Sequence, residues 1–294
     1  MAHYDSEEDD QPRKICDRRG DLTLVDCQPQ VRIKMDQLAA LQAQMPGFLF
    51  AARPIPSPQS ITNAKDAMGN GEAGVWTGSV FNTPPMNLSP QSIFASRQID
   101  TLNHHVNFER FMIRRRYTPW LAGLKTMAVF TDGACASNGL ATPKGGCAFS
   151  VNDGNGLFSR RLEDKGPTGT AFTPTNNRAE LRAVIDFLEG RSWWGEGWTR
   201  IVVITDSEYV TKGATVWIRK WASNGWKTAA GKPTANPDLW KELSKLMGQY
   251  AEGGCEISFW AIPREWNTRV DTAAKSACML GTQEKYSRIS LLGV

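Results

Sequence analysis

Two short apolar runs, each leading to an aspartate, constrain this chain more than any other feature. Met127-Ala128-Val129-Phe130 runs into Thr131-Asp132-Gly133, and Ile201-Val202-Val203-Ile204 runs into Thr205-Asp206-Ser207. Runs of this length, with Gly or Ser just beyond them, read as buried strands. Two such strand ends side by side put two carboxylates at one edge of a sheet. Buried carboxylates that close together are costly unless a cation neutralises them. The pattern therefore predicts a site for a hard divalent metal ion.

The rest of the second half fits an α/β pattern. Gly146–Val151 and Leu157–Leu162 flank the turn signal Asn152-Asp153-Gly154-Asn155-Gly156, which predicts an antiparallel meander with the first strand. A helix is expected from about Asn177 to Leu188, with Leu181, Val184, Ile185 and Leu188 on one face, ended by Gly190. Helical segments follow at Ser207–Gly213, Trp217–Trp221 and Asp238–Tyr250. A last strand is expected at Cys255–Ile262 and a last helix at Arg269–Leu280. The order predicts a mixed five-stranded sheet with helices on its faces.

Before residue 126 the pattern is different. Residues 1 to about 30 are acidic and then mixed in charge, without an apolar period, and read as disordered. Residues 31–50 carry a loose helical pattern, and residues 53–95 are proline-rich and irregular in character. Around the basic run Arg114-Arg115-Arg116 the sequence again looks structured. Expected domains are thus a largely irregular extension at 1–125, an α/β domain at 126–281 and a tail at 282–294.

Composition narrows the classes. Apolar residues make up 41% of the 294 residues, enough for a real core, and the net charge of +4 permits a nucleic-acid partner without requiring one. The six cysteines form no C-x-x-C pair and there are three histidines, which argues against a structural zinc site. No apolar run approaches transmembrane length. The acidic N-terminus is unlike a secretory signal or a mitochondrial presequence, so an intracellular protein, nuclear or cytoplasmic, is expected.

Two further acidic residues join the aspartates. Glu180 lies in the first turn of the Asn177 helix, where Asn177 and Glu180 also match an N-cap pattern. Asp271 and Lys275 are four apart on the last helix, the spacing of a surface ion pair. Helices flanking a sheet can aim their first turns at one edge of strand ends. Four carboxylates converging there would suit two Mg²⁺ ions, which prefer carboxylate and water oxygen and bind phosphate. Such ions, roughly 3.5–4 Å apart, support phosphodiester cleavage without a side-chain nucleophile.

Five blocks in order carry a resemblance. They are Thr131-Asp132-Gly133-Ala134-Cys135, Thr175-Asn176-Asn177-Arg178-Ala179-Glu180-Leu181, Thr205-Asp206-Ser207-Glu208-Tyr209-Val210, Trp217-Ile218-Arg219-Lys220-Trp221 through Asp238-Leu239-Trp240, and Asn267-Thr268-Arg269-Val270-Asp271. Residues 127–277 resemble type 1 ribonuclease H, which cuts RNA in RNA–DNA hybrids. The resemblance implies a ribonuclease H-like fold and Asp132, Glu180, Asp206 and Asp271 as the catalytic, metal-binding quartet. It also implies two Mg²⁺ ions, with Mn²⁺ an alternative. The implied products carry 5′-phosphate and 3′-hydroxyl ends.

On the substrate side the resemblance places Thr175 in a phosphate pocket for the DNA strand, with Asn138, Asn176 and Asn177 against the hybrid. Asn can both donate to and accept from a 2′-hydroxyl. Trp217, Lys220, Trp221, Trp226, Lys227 and Lys232 would form the basic protrusion that grips DNA. One of Trp217 and Trp221, four apart, is expected in the core instead. Two departures stand out. The loop Ile262-Pro263-Arg264-Glu265-Trp266-Asn267 lacks the histidine many members carry there and is similar to fungal variants, and Glu208 stands where glutamine is frequent. A monomer acting on RNA–DNA hybrids away from membranes is expected. The rivals are a non-catalytic hybrid-binding protein of the same fold and a retroelement-derived ribonuclease H domain.

Overall fold

The computed structural model describes residues 14–16, 22–24, 74–81, 88–99, 108–113, 125–139 and 141–291. The chain forms two compact units, Met1–Arg53 and Pro54–Val294. In the first, β1 (Lys14–Cys16) pairs antiparallel with β2 (Leu22–Leu24), so the stretch read as disordered contains a hairpin. The helix expected within 31–50 and the run Arg114-Arg115-Arg116 lie outside the described residues.

The second unit is built on one mixed sheet flanked by helices. Its described elements begin with β3 (Ser79–Val80), α1 (Pro90–Ile93), β4 (Phe94–Ile99) and β5 (Phe108–Ile113). Then come β6 (Thr126–Ala136), β7 (Lys144–Ser150), β8 (Leu157–Arg161), α2 (Asn176–Gly190) and β9 (Arg200–Thr205). Next, α3 (Glu208–Lys212) passes through a π turn at Gly213–Trp217 into α4 (Ile218–Ser223). The last elements are α5 (Pro237–Glu252), β10 (Glu256–Ala261) and α6 (Thr268–Ala277).

All five expected strands, β6 to β10, are present, and three more extend the sheet to eight. β6 pairs parallel with β9, and β9 with β10. On its other side β6 pairs antiparallel with β5 near its start and with β7 from Phe130 onward. β3 adds a parallel edge to β10, and β4 an antiparallel edge to β5. The extra strands went unread for simple reasons. β3 is two residues long, and β4 mixes Ser96, Arg97 and Gln98 with its apolar residues. Neither offers the apolar run that marks a buried strand.

Period-two alternation sorts the central strands into two cores. Met127 and Val129, Ile201 and Val203, and Ile257 and Phe259 join Leu181, Val184 and Leu188 of α2 and Trp240 and Leu243 of α5. Ala128 and Phe130, Val202 and Ile204, and Trp260 join Val270 and Ala274 of α6, together with Phe94 and Phe111 of β4 and β5. Part of the sequence before residue 126 thus completes the second core.

The expected tail is tied to this body. Asp164 and Lys165 donate their backbone N–H groups to the carbonyls of Gln283 and Glu284, and Leu291, 2% exposed, donates to the Gly190 carbonyl. A β-carbon on Gly190 would sit 2.8 Å from the Leu291 side chain, so the glycine makes room for the tail. Among the described residues, no helix is long and apolar enough to cross a membrane.

Candidate active site

The two aspartates meet in a way that differs from the expectation. β6 does not stop at Asp132 but continues to Ala136. Its parallel pairing with β9 does stop, at Phe130 opposite Ile204. Asp132 and Asp206 each lie two residues beyond that pair, at the carboxyl end of the parallel ladder. Beyond it β6 needs only β7 as a partner, which opens the sheet to α2 and α6.

Glu180 reaches this point because of Gly133. A β-carbon there would lie 2.0 Å from the Glu180 backbone nitrogen, so only glycine lets α2 press onto β6 at Ala179 and Glu180, just beyond the first turn where Glu180 was expected. The helix start also corrects the N-cap pattern read at Asn177. The cap is Thr175, whose hydroxyl accepts from the Arg178 N–H at 3.2 Å. Glu180 is thereby freed from capping, and its carboxylate accepts from the Ser207 hydroxyl at 2.5 Å. Ser207 also caps α3.

α6 supplies the fourth carboxylate, Asp271, and the loop before it supplies Asn267 and Arg264, which contact the acidic residues. Asn267, 1% exposed, donates to Asp206 Oδ1 at 2.9 Å and to the Thr131 carbonyl at 3.1 Å. Its own Oδ1 is buried without a hydrogen-bond partner. Asp271 accepts from Arg264 at 2.6 Å and from Lys275 at 2.6 Å, so the expected Asp271–Lys275 pair is present and has a second cation beside it.

Electrostatics separates the four. Asp132 is 4% exposed, and burial pushes its carboxyl up to about 7, reinforced by Asp206, Asp271 and Glu180 and opposed by the Gly133 N–H. Burial also raises Glu180, against the Ser207 hydrogen bond. Asp271 is only partly desolvated, and Lys275 and Arg264 outweigh that effect and hold it below the usual carboxylate range. Among the described residues, no group of three acidic, His or Cys side chains is gathered closely enough to hold an ion in this conformation. The donor chemistry nonetheless fits a hard divalent ion. It consists of carboxylate oxygens around a buried aspartate that resists ionising alone.

Beside this edge the structure brings four of the expected substrate contacts together. Asn138, Thr175, Asn176 and Asn177 line a pocket of about 390 Å³ with Ala235 and Asn236. Arg178 builds its wall by pairing with Asp238 at 2.8 Å and donating to Asn236 Oδ1 at 3.3 Å. Asn236 was not singled out from the sequence. Its signal is its place just before Pro237, at the start of α5, with left-handed backbone (φ 54°) that asparagine tolerates.

The aromatic–basic segment divides. Lys220, Lys227 and Lys232 are exposed and none pairs with a described acidic residue. Trp221 lies 5.6 Å from Trp217 and 5.4 Å from Trp240 and packs on the main core, the structural role expected for one of the pair. Trp226 also packs partly on that core, with Lys241 Nζ 5.3 Å from its ring, so it is less free for a ligand than its glycine-flanked sequence implies.

Much of this unit is similar in sequence to known proteins. The family model RNase H matches residues 124–278, just over half the chain. A ribonuclease H of Treponema pallidum is 41% identical over 126 residues, covering 41% of this chain and 72% of the relative. A ribonuclease H of Salmonella arizonae is 38% identical over 161 residues, covering 55% of this chain and 94% of the relative. Among solved structures, LC9-RNase H1, described as a type 1 RNase H with the type 2 active-site motif, aligns at 26% identity with a TM-score of 0.37. That alignment covers 53% of this chain and 72% of the other. With this match over strands β6 to β10 and the segments that carry the four carboxylates, the chain belongs to the ribonuclease H family.

Proposed function

We propose that this chain is an endonuclease that hydrolyses the RNA strand of RNA–DNA hybrids, with Asp132, Glu180, Asp206 and Asp271 as its catalytic carboxylates. The observation that carries this is Asp132, buried and uncompensated beside three other carboxylates at the open edge of a ribonuclease H-family sheet. Members of the family generally use divalent metal ions. Two Mg²⁺ ions held by the quartet, or Mn²⁺ in their place, would activate water and stabilise the leaving oxygen.

The chain's own residues do the positioning. Asn267 fixes Asp206 against the Thr131 carbonyl, and Ser207 fixes Glu180. The pocket of Thr175, Asn176, Asn177, Asn138 and Asn236 offers hydrogen-bonding groups where the backbone of one strand would lie. Exposed Lys220, Lys227 and Lys232 add the charge that holds a phosphate backbone. Residues 126–281 form the proposed hydrolase domain and 282–294 its tail.

The test is cleavage of a labelled RNA–DNA hybrid by the full chain, with Mg²⁺, with Mn²⁺ and with EDTA, beside single-stranded and duplex RNA. The expected result is metal-dependent cutting of the hybrid's RNA strand alone, leaving 5′-phosphate ends. Hybrid binding with no cutting under any metal would leave a non-catalytic binder of the same fold.

A further inference from the structure

Arg264 occupies an unusual position in the carboxylate site. It sits in the short 3₁₀ turn Arg264–Trp266 that follows Pro263 and precedes α6. Its guanidinium donates to Asp271 Oδ1 at 2.6 Å, while the side chain stays 67% exposed. Its charge also acts on Asp206 and Asp132 and opposes the rise of Glu180. One exposed cation therefore bears on all four carboxylates. Lys275 shares Asp271 with it, through the other oxygen, from the next turn of α6.

A carboxylate oxygen directed at a guanidinium is not available to an ion. In this conformation no three acidic side chains are gathered around one point among the described residues. The exposed face of Arg264 gives it somewhere to go, since a long arginine side chain can leave for water at little cost.

We infer that Arg264 is a resident counter-cation that holds Asp271 in the metal-free protein and is displaced from it when a divalent ion enters. It is a positioning residue that sets how readily the site loads. This deepens the proposed hydrolase reading and rests on it, because it takes Asp271 as a metal ligand. The consequence is an exchange of one cation for another at fixed carboxylates. Arg264 stabilises the unloaded state alone and so weakens metal binding by the amount of its own contact.

Calorimetric titration of Mg²⁺ into the full chain tests this, comparing wild type with Arg264→Gln and Arg264→Lys. Arg264→Gln should bind Mg²⁺ roughly two- to fivefold more tightly, the range expected for one exposed ion pair, and Arg264→Lys should stay near wild type. Thermal unfolding gives a second readout. Without Mg²⁺ the Gln variant should melt below wild type, and saturating Mg²⁺ should abolish the difference. A purely structural contact would lower the melting temperature equally at every Mg²⁺ concentration, which would overturn the inference. Equal or weaker Mg²⁺ affinity in Arg264→Gln would also overturn it, including when cleavage falls, because Arg264 would then be serving substrate. A wild type that neither binds Mg²⁺ nor cleaves hybrid removes the hydrolase reading and this inference together. A wild type that does both, beside an indifferent variant, removes only the inference.

Discussion

The molecule contains two clusters of acidic side chains built from the same residue types, and they are balanced in opposite ways. Under the C-terminal tail, Glu163, Asp186 and Glu189 are all buried, yet each has an arginine. Arg182 reaches Glu163 at 3.0 Å, Asp186 at 3.1 Å and Glu189 at 2.8 Å, and Arg160 reaches Glu163 and Asp186. Tyr286 and the Ser287 carbonyl close the network. Burial alone would raise Glu163, but Arg182 and Arg160 hold it low. Asp186 is buried more completely and is pushed up to about 6 in spite of them. At the open end of the sheet, Asp132 makes no ion pair among the described residues and faces Asp206, Asp271 and Glu180, while the contact cations Arg264 and Lys275 are both spent on Asp271. A compensated cluster can hold a tail in place. An uncompensated one stores a demand for positive charge, which is what a metal-dependent site requires.

The contrast is breakable, and the largest effect belongs to the uncompensated side. Asp206→Asn should lower hybrid cleavage about 10³-fold or more while circular dichroism and hybrid binding stay close to wild type. A variant that loses folding together with activity would show Asp206 to be structural.

On the compensated side, Arg182→Met should destabilise the fold by about 3–5 kcal/mol, because it strands buried carboxylates. Denaturant unfolding reads this out, and a loss below about 1 kcal/mol would show that the network is not the tail's anchor. Cleavage well below the lowered melting temperature should be little changed.

Asp132→Asn should do the reverse in the metal-free protein. The folded pKa of Asp132, about 7, lies above that of an unfolded chain, so folding disfavours the charged form. The penalty is absent well below the unfolded pKa of about 4, grows as pH rises from there toward 7 and is complete above it. At pH 8 without metal, Asp132→Asn should therefore gain about 1–4 kcal/mol over wild type, with the gain shrinking toward zero as pH falls to about 3. A gain independent of pH would mean that burial of this carboxyl is not what strains the site.

The smallest effect concerns the substrate. Lys227→Ala should weaken hybrid binding modestly and reduce the salt dependence of binding by about one counter-ion, without touching stability. An unchanged salt slope would place the phosphate backbone elsewhere.

Much of this was legible in the chain itself. The central strands announced themselves because apolar runs such as Ile201–Ile204 have no other stable fate than burial. The four carboxylates could be named because each stands in a short motif whose neighbours are local: Gly133 after Asp132, Ser207 after Asp206, Asn176-Asn177-Arg178-Ala179 before Glu180, and Asn267 four residues before Asp271. What was not legible depended on partners distant in sequence. Trp226 was expected among the residues that grip DNA, yet it packs partly on a core assembled from other elements.

The sequence by itself determined the five central strands, β6 to β10, and, through the family resemblance, which four acidic residues are proposed to serve a metal, since both are written in local order and spacing. Only the tertiary structure decided how the charges are settled. It brought Arg182 of α2 to Glu163 and to a tail about a hundred residues away, and set Arg264 against Asp271. It also recruited β3, β4 and β5 to edges and a core that their own weak patterns do not advertise. The reason is physical. A carboxylate's charge state follows from its burial and from the cations that the fold brings within a few ångströms of it. Neither quantity exists until the chain has closed.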